Sequence, residues 1–202
     1  SEMCIRDRGE LWLNNLEAHT IKADGNLIIY VCNNQATNTN IVTATQNETA
    51  IEVTGYLTIR YGGYGGGTGS LTVESDGKEA IQAGSGMTVS DGVEVKARAK
   101  SGATAISSGG VLKIDGIRTK LEAAGDGSTG KGIFAQQSIY VKNSAVLTAF
   151  GGAAAYESPS GIDKSGYGYE DYNVFTGDAA PGTQAAQDTV LDGYKYIRIE
   201  PT

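Results

Sequence analysis

The chain repeats one triplet. Between residues 54 and 83 it carries Leu57-Thr58-Ile59, Leu71-Thr72-Val73 and Ile81-Gln82-Ala83, each apolar, polar, apolar, and each bounded by Gly, Ser or Asp. Such alternation predicts three short strands that turn one face to a core and bend at every boundary. The unit overlays 27–53, 87–108, 112–135 and 139–162, with a first, incomplete copy near 11–21. Third strands open on Ile51, Ile81, Ile106, Ile133 and Ile162, spaced by 30, 25, 27 and 29 residues, which is a solenoid period. Second strands align as Val42-Thr43-Ala44, Leu71-Thr72-Val73, Val95-Lys96-Ala97, Leu121-Glu122-Ala123 and Leu147-Thr148-Ala149. Their closing Ala predicts a corner where the coil narrows. Pairing each strand with its counterpart one coil along satisfies every backbone N–H and C=O through parallel hydrogen bonds. The fold predicted is all-β, a single right-handed parallel β-helix of about five to six coils with three short strands each.

Turn lengths refine this. Three residues always join the third strand to the next coil: Thr54-Gly55-Tyr56, Gly84-Ser85-Gly86, Gly109-Gly110-Val111 and Gln136-Gln137-Ser138. The glycines there predict positive φ. The turn after the first strand is long only twice, from Tyr30 to Ile41 and from Arg60 to Ser70.

Residues 1–8 share no pattern with the rest and resemble translated adapter read-through at the end of a metagenomic reading frame, so they are set aside as a non-native leader. The coils are expected over 9–162, cut from a longer solenoid, with an open first coil that self-associates. From 163 to 202 the period fades, and Tyr194-Lys195-Tyr196-Ile197-Arg198-Ile199 predicts a final strand within a C-terminal cap.

A net charge of -7 and a pI near 4.7 argue against nucleic acid as a partner. No apolar run is long enough for a membrane-spanning helix. Gly125 to Gly132 nearly matches a phosphate-binding loop, but Gly132 stands where the metal-binding hydroxyl belongs and a strand follows instead of a helix, which predicts a plain coil corner. Thr68 replaces the Asp of a calcium-binding nonapeptide. No cofactor or metal is expected.

Gly25-Asn26-Leu27, the run from Ala50 to Ile59, Gly69-Ser70-Leu71-Thr72-Val73 and the closing Tyr194 to Pro201 resemble the β-helical repeats described as carbohydrate-binding in large secreted proteins of Gram-positive anaerobic bacteria. The resemblance implies an extracellular or surface-attached module, its partner a polysaccharide or host glycan. A catalytic relative, a polysaccharide lyase or hydrolase, would need converging carboxylates on one face. The outward second-strand positions Thr43, Thr72, Lys96, Glu122 and Thr148 supply no such cluster, and His19 is the only histidine. The run Glu94, Lys96, Arg98 and Lys100 is expected to be a solvated strand face. The expectation is a non-catalytic glycan-binding, adhesive or spacer module, with a degenerate β-helical polysaccharide lyase or hydrolase as the alternative.

For sugar contact the two long loops are the first candidates. Asn33, Asn34, Asn38 and Asn40 offer amides to hydroxyls, and Tyr61 and Tyr64 offer flat apolar faces to C–H surfaces. Tyr167, Tyr169 and Tyr172 in the cap form a second candidate.

Overall fold

The computed structural model describes residues 2–6 by backbone alone, and 9–32, 39–45, 47–63, 67–167 and 172–202. After β1 (Glu2–Arg6), a first coil comprises β2 (Gly9–Asn14), β3 (Glu17–Ala18) and β4 (Thr20–Asp24). Five full coils follow. They are β5 (Leu27–Cys32), β6 (Asn40–Ala44) and β7 (Ile51–Val53); β8 (Tyr56–Tyr61), β9 (Gly69–Ser75) and β10 (Ile81–Ala83); and β11 (Gly86–Ser90), β12 (Val93–Ala99) and β13 (Ile106–Ser108). Next come β14 (Leu112–Asp115), β15 (Lys120–Gly125) and β16 (Lys131–Ala135), then β17 (Ile139–Lys142), β18 (Val146–Gly151) and β19 (Ala154–Glu157). The chain closes with β20 (Ile162–Asp163), a 3-10 turn at Ser165–Tyr167, β21 (Tyr172–Gly177), β22 (Thr183–Ala185) and β23 (Tyr196–Pro201).

Equivalent strands stack in parallel, so the chain is a parallel β-solenoid. Sheet 1 runs β2-β5-β8-β11-β14-β17-β20 and sheet 3 runs β1-β4-β7-β10-β13-β16-β19. Sheet 2 runs β3-β6-β9-β12-β15-β18, and β23, β21 and β22 then continue it antiparallel. Residues 2–6, set aside in the sequence, pair along β4 from Glu2↔Thr20 to Arg6↔Asp24. Backbone pairing makes few demands on side-chain identity, so an open strand edge accepts an extended segment that shares none of the repeat.

Like residues stack on like inside the rod. Ile21, Ile51, Ile81, Ile106 and Ile133 form one inward column, and Leu27, Leu57, Met87, Leu112 and Ile139 another, all fully buried. Each such side chain stabilises the fold by about 1.5 to 3 kcal/mol through burial.

Three expectations are corrected. Ile162 does not close the isoleucine column; it pairs with Ile139 in sheet 1, and Tyr156 stacks on Ile133 instead. An aromatic fits there because the cap brings Asp192 within reach of its buried hydroxyl, which donates to that carboxylate. In sheet 2, Val42 pairs with Val73 and Asn40 with Leu71, a shift of two residues. A shift of two preserves which side chains face inward, so the apolar pattern is blind to it. The narrow corner is consequently the next inward column, Ala44, Ser75, Ala99, Gly125 and Gly151.

The constant three-residue corner needs glycine mainly for proximity. Only Gly86 there has φ in the positive range. A Cβ on Gly84 or Gly109 would collide with the carbonyl of the coil before it, Thr54 O or Gly84 O. Left-handed backbone occurs instead at the two-residue turn Asp91-Gly92, with φ of 59° and 82°, which lets β11 enter β12 almost directly.

Candidate functional site

The long loops of the second and third coils are only partly described. Asn33, Asn34, Asn38 and Tyr64 lie outside the described residues, as does Tyr169 of the cap, and the side chain of Tyr167 lies outside them too. Asn40 is no ligand contact: it is 1% exposed, its side-chain carbonyl accepts from Leu16 N at 3.1 Å, and its amide donates to Ser70 O at 3.2 Å. The two-residue register shift moved it from the loop into the inward column. Tyr61 is half-buried, and Gly63 and Gly67 lie so close to it that a Cβ on either would strike its hydroxyl. Tyr172 is engaged inside the cap, where its hydroxyl donates to Gln187 O at 3.3 Å and Lys164 Nζ lies 5.9 Å from its ring centre. Burial raises the Tyr172 pKa and lowers that of Lys164.

A groove of about 830 Å³ lies elsewhere, on the outer face of sheet 2. Register builds its floor strand by strand. On β12 the outward residues are Glu94, Lys96 and Arg98, and on β15 they are Lys120, Glu122 and Ala124. On β18 they are Val146, Thr148 and Phe150, opposite Glu200, Arg198 and Tyr196 of β23. An uncharged lane one strand wide therefore separates Lys120 and Glu122 from Arg198 and Glu200. Neighbouring strands lie about 4.8 Å apart, so the two charged rims stand about 10 Å from each other.

The cap shapes one end. Tyr196 is 4% exposed because the loop at 178–182 crosses its ring, so closely that a Cβ on Gly182 would sit 2.8 Å from Tyr196 Cδ1. Ala180 of this loop joins the groove wall. Burial raises the Tyr196 pKa, partly offset by the adjacent Arg198 guanidinium. Several rim charges are paired: Lys96 Nζ lies 3.4 Å from Glu94 Oε1, Arg98 Nη2 lies 2.7 Å from Asp126 Oδ2, and Arg198 pairs with Glu200. These partly exposed pairs add little stability but hold donors and acceptors in fixed positions. The expected solvated face keeps Lys96 and Arg98 exposed, and its residues from Glu94 to Arg98 also form the far side of the groove. Its signal was present in the run of outward charges, but the neutral lane and the cap wall emerge only when strands far apart in sequence are aligned.

Sheet 1 carries a second outward feature that the sequence reading passed over. Trp12 is 57% exposed and stacks on Tyr30, with ring centres 4.2 Å apart and planes at 15°. Its alternation with the inward Leu13 was the available sign.

Among the described residues, no group of three or more His, Cys, Asp or Glu is placed to hold a metal, and no helix is long and apolar enough to cross a membrane. Fold and groove together define a parallel β-solenoid with an open polar groove on one sheet. Compared with known proteins, the chain matches no family model, and no curated protein or solved structure matches it.

Proposed function

We propose that this chain is a non-catalytic, extracellular or surface-attached module that holds a polysaccharide or host glycan in the sheet 2 groove. The observation that carries this reading is the uncharged lane Val146, Thr148 and Phe150 between two rims rich in hydrogen-bonding charge. A sugar chain presents that pairing of chemistries, with C–H faces for the half-buried Phe150 ring and hydroxyls for carboxylates, ammonium and guanidinium groups. The lane from Val146 to Phe150 spans about 13 Å at the rise of a strand, room for about two pyranose rings. Glu94, Asp126 and Glu200 each face a cation, an arrangement suited to recognition more than to proton transfer.

An open groove leaves both partners partly hydrated, so affinity should lie between millimolar and micromolar, about -4 to -8 kcal/mol. The test is affinity electrophoresis through xylan, polygalacturonate and mucin, comparing the parent with a Lys120→Ala, Glu122→Gln variant. Both residues are exposed, so melting should be nearly unchanged. Retardation by one of these polymers that the variant loses supports the groove. Retardation that the variant keeps removes the groove from the reading, and no retardation of the parent leaves an adhesive or structural spacer.

A further inference from the structure

We infer that Trp12 marks a second sugar-contact site, on the outer face of sheet 1, and that it takes a neutral pyranose; this rests on the glycan-binding reading above. Register places Trp12, Tyr30 and Arg60 side by side on β2, β5 and β8, all facing outward. Tyr30 stacks on one face of the indole, and the Arg60 guanidinium lies 5.8 Å from the centre of the Tyr30 ring. Arg60 is itself held by Asp91, with Nη2 2.7 Å from Oδ2. Gly62 approaches both residues, where a Cβ would meet Tyr30 Cβ at 2.9 Å and Trp12 Cζ3 on the indole edge at 3.0 Å. The indole is therefore held between the Tyr30 ring and the chain at Gly62.

With one indole face against Tyr30, the 57% exposure of Trp12 comes from its other face and edges. Farther along the same outward row the chain uses Ser90, Asp115 and Lys142, so the core has no need of an aromatic at this row. Glu10 sits two residues before Trp12 on the same strand face, at the rim of a groove of about 430 Å³ that Asn26, Ile28, Tyr56 and Thr58 also line. A flat indole beside a carboxylate matches a pyranose, whose axial C–H bonds lie on the ring while its hydroxyls donate to Glu10. The same carboxylate, in a chain of net charge -7, repels uronates and nucleotides, which narrows the ligand to neutral sugars.

Trp12 is the only tryptophan in the chain, so its emission reports this site alone. The parent is titrated with cellohexaose, xylohexaose, chitohexaose and trigalacturonate while fluorescence and calorimetric heat are followed. A saturable emission change with a neutral hexasaccharide, absent with trigalacturonate, is expected. Glu10→Gln should weaken it about fivefold and Trp12→Ala should abolish the matching calorimetric site, a loss of about tenfold or more. The Lys120→Ala, Glu122→Gln variant should leave the Trp12 titration unchanged. Binding heat with silent Trp12 emission overturns the second site and leaves the groove standing. An emission change that follows protein concentration and ignores sugar assigns the surface to a second copy of the chain and also overturns it. Absence of heat and emission change with every probe overturns both sites.

Discussion

Replacing Asn40 by Leu separates two ways of seeing sheet 2. By column alone the change should help, because Asn40 heads an inward file of Leu71, Val95, Leu121 and Leu147. The hydrogen bonds argue the reverse. Asn40 ties three successive coils together, taking the Leu16 N–H of the first and giving to the Ser70 carbonyl of the third. It does so beside β3, whose two residues supply little backbone pairing of their own. Asn40→Leu would leave that N–H and that carbonyl without their partner, at about 1 to 3 kcal/mol each. Added apolar burial returns about 1.5 to 3 kcal/mol. The net expectation is a loss of about 1 to 3 kcal/mol, since the leucine side chain must also fit where a planar amide sat. Urea unfolding with an unchanged slope should show a lower midpoint, and hydrogen exchange at the Leu16 amide should accelerate first because coils support only their neighbours. A variant as stable as the parent, with Leu16 equally protected, would refute the bridging role.

Stability should fall in alkali. Burial, with the Asp192 carboxylate beside it, raises the Tyr156 pKa above its ordinary value of 10.0, and burial raises those of Tyr172 and Tyr196 as well. Their contribution is complete below about pH 10 and is lost as pH climbs through the folded-state values, while the unfolded chain ionises first. Tyr156→Phe should flatten the decline in thermal stability above about pH 10, where the unfolded chain's tyrosines ionise and the buried one does not; an unchanged slope would count against the buried hydroxyl as its source. Gly109→Ala should destabilise by about 1 to 3 kcal/mol or more through collision with the Gly84 carbonyl, whereas Gly193→Ala, which meets no atom within 4 Å, should cost only the about 1 to 2 kcal/mol of its φ of 85°. Denaturant melts that rank the two the other way would show that the corner can widen.

The inward columns were legible in the sequence because burial leaves a period of two on each strand. Ile51, Ile81, Ile106 and Ile133 could be aligned without coordinates for that reason. Asn40 was misplaced since a shift of two leaves the same parity, and Ile162 because a lone isoleucine suits the Ile133 column as well as the Ile139 column. The outward face obeys no such rule. Glu122, Thr148 and Arg198 become neighbours only through register across β15, β18 and β23, and the last of these runs antiparallel. The loop at 178–182 that walls the groove carries no period at all, and Trp12 gains its meaning from Tyr30, 18 residues away.

The hydrogen bonds between coils run along the axis of the rod, and the described chain runs from β1 at one end of the stack to the cap strands beyond β18 at the other. Tension between those two ends therefore pulls on each rung lengthwise, so coils peel away singly instead of shearing all at once. Each peeled coil frees about 25 to 30 residues, or about 90 Å of slack, while the coils behind it keep their registry. A rod of this kind gives way gradually under load, and a groove built across β12, β15, β18 and the cap strand β23 is lost only when those rungs themselves peel.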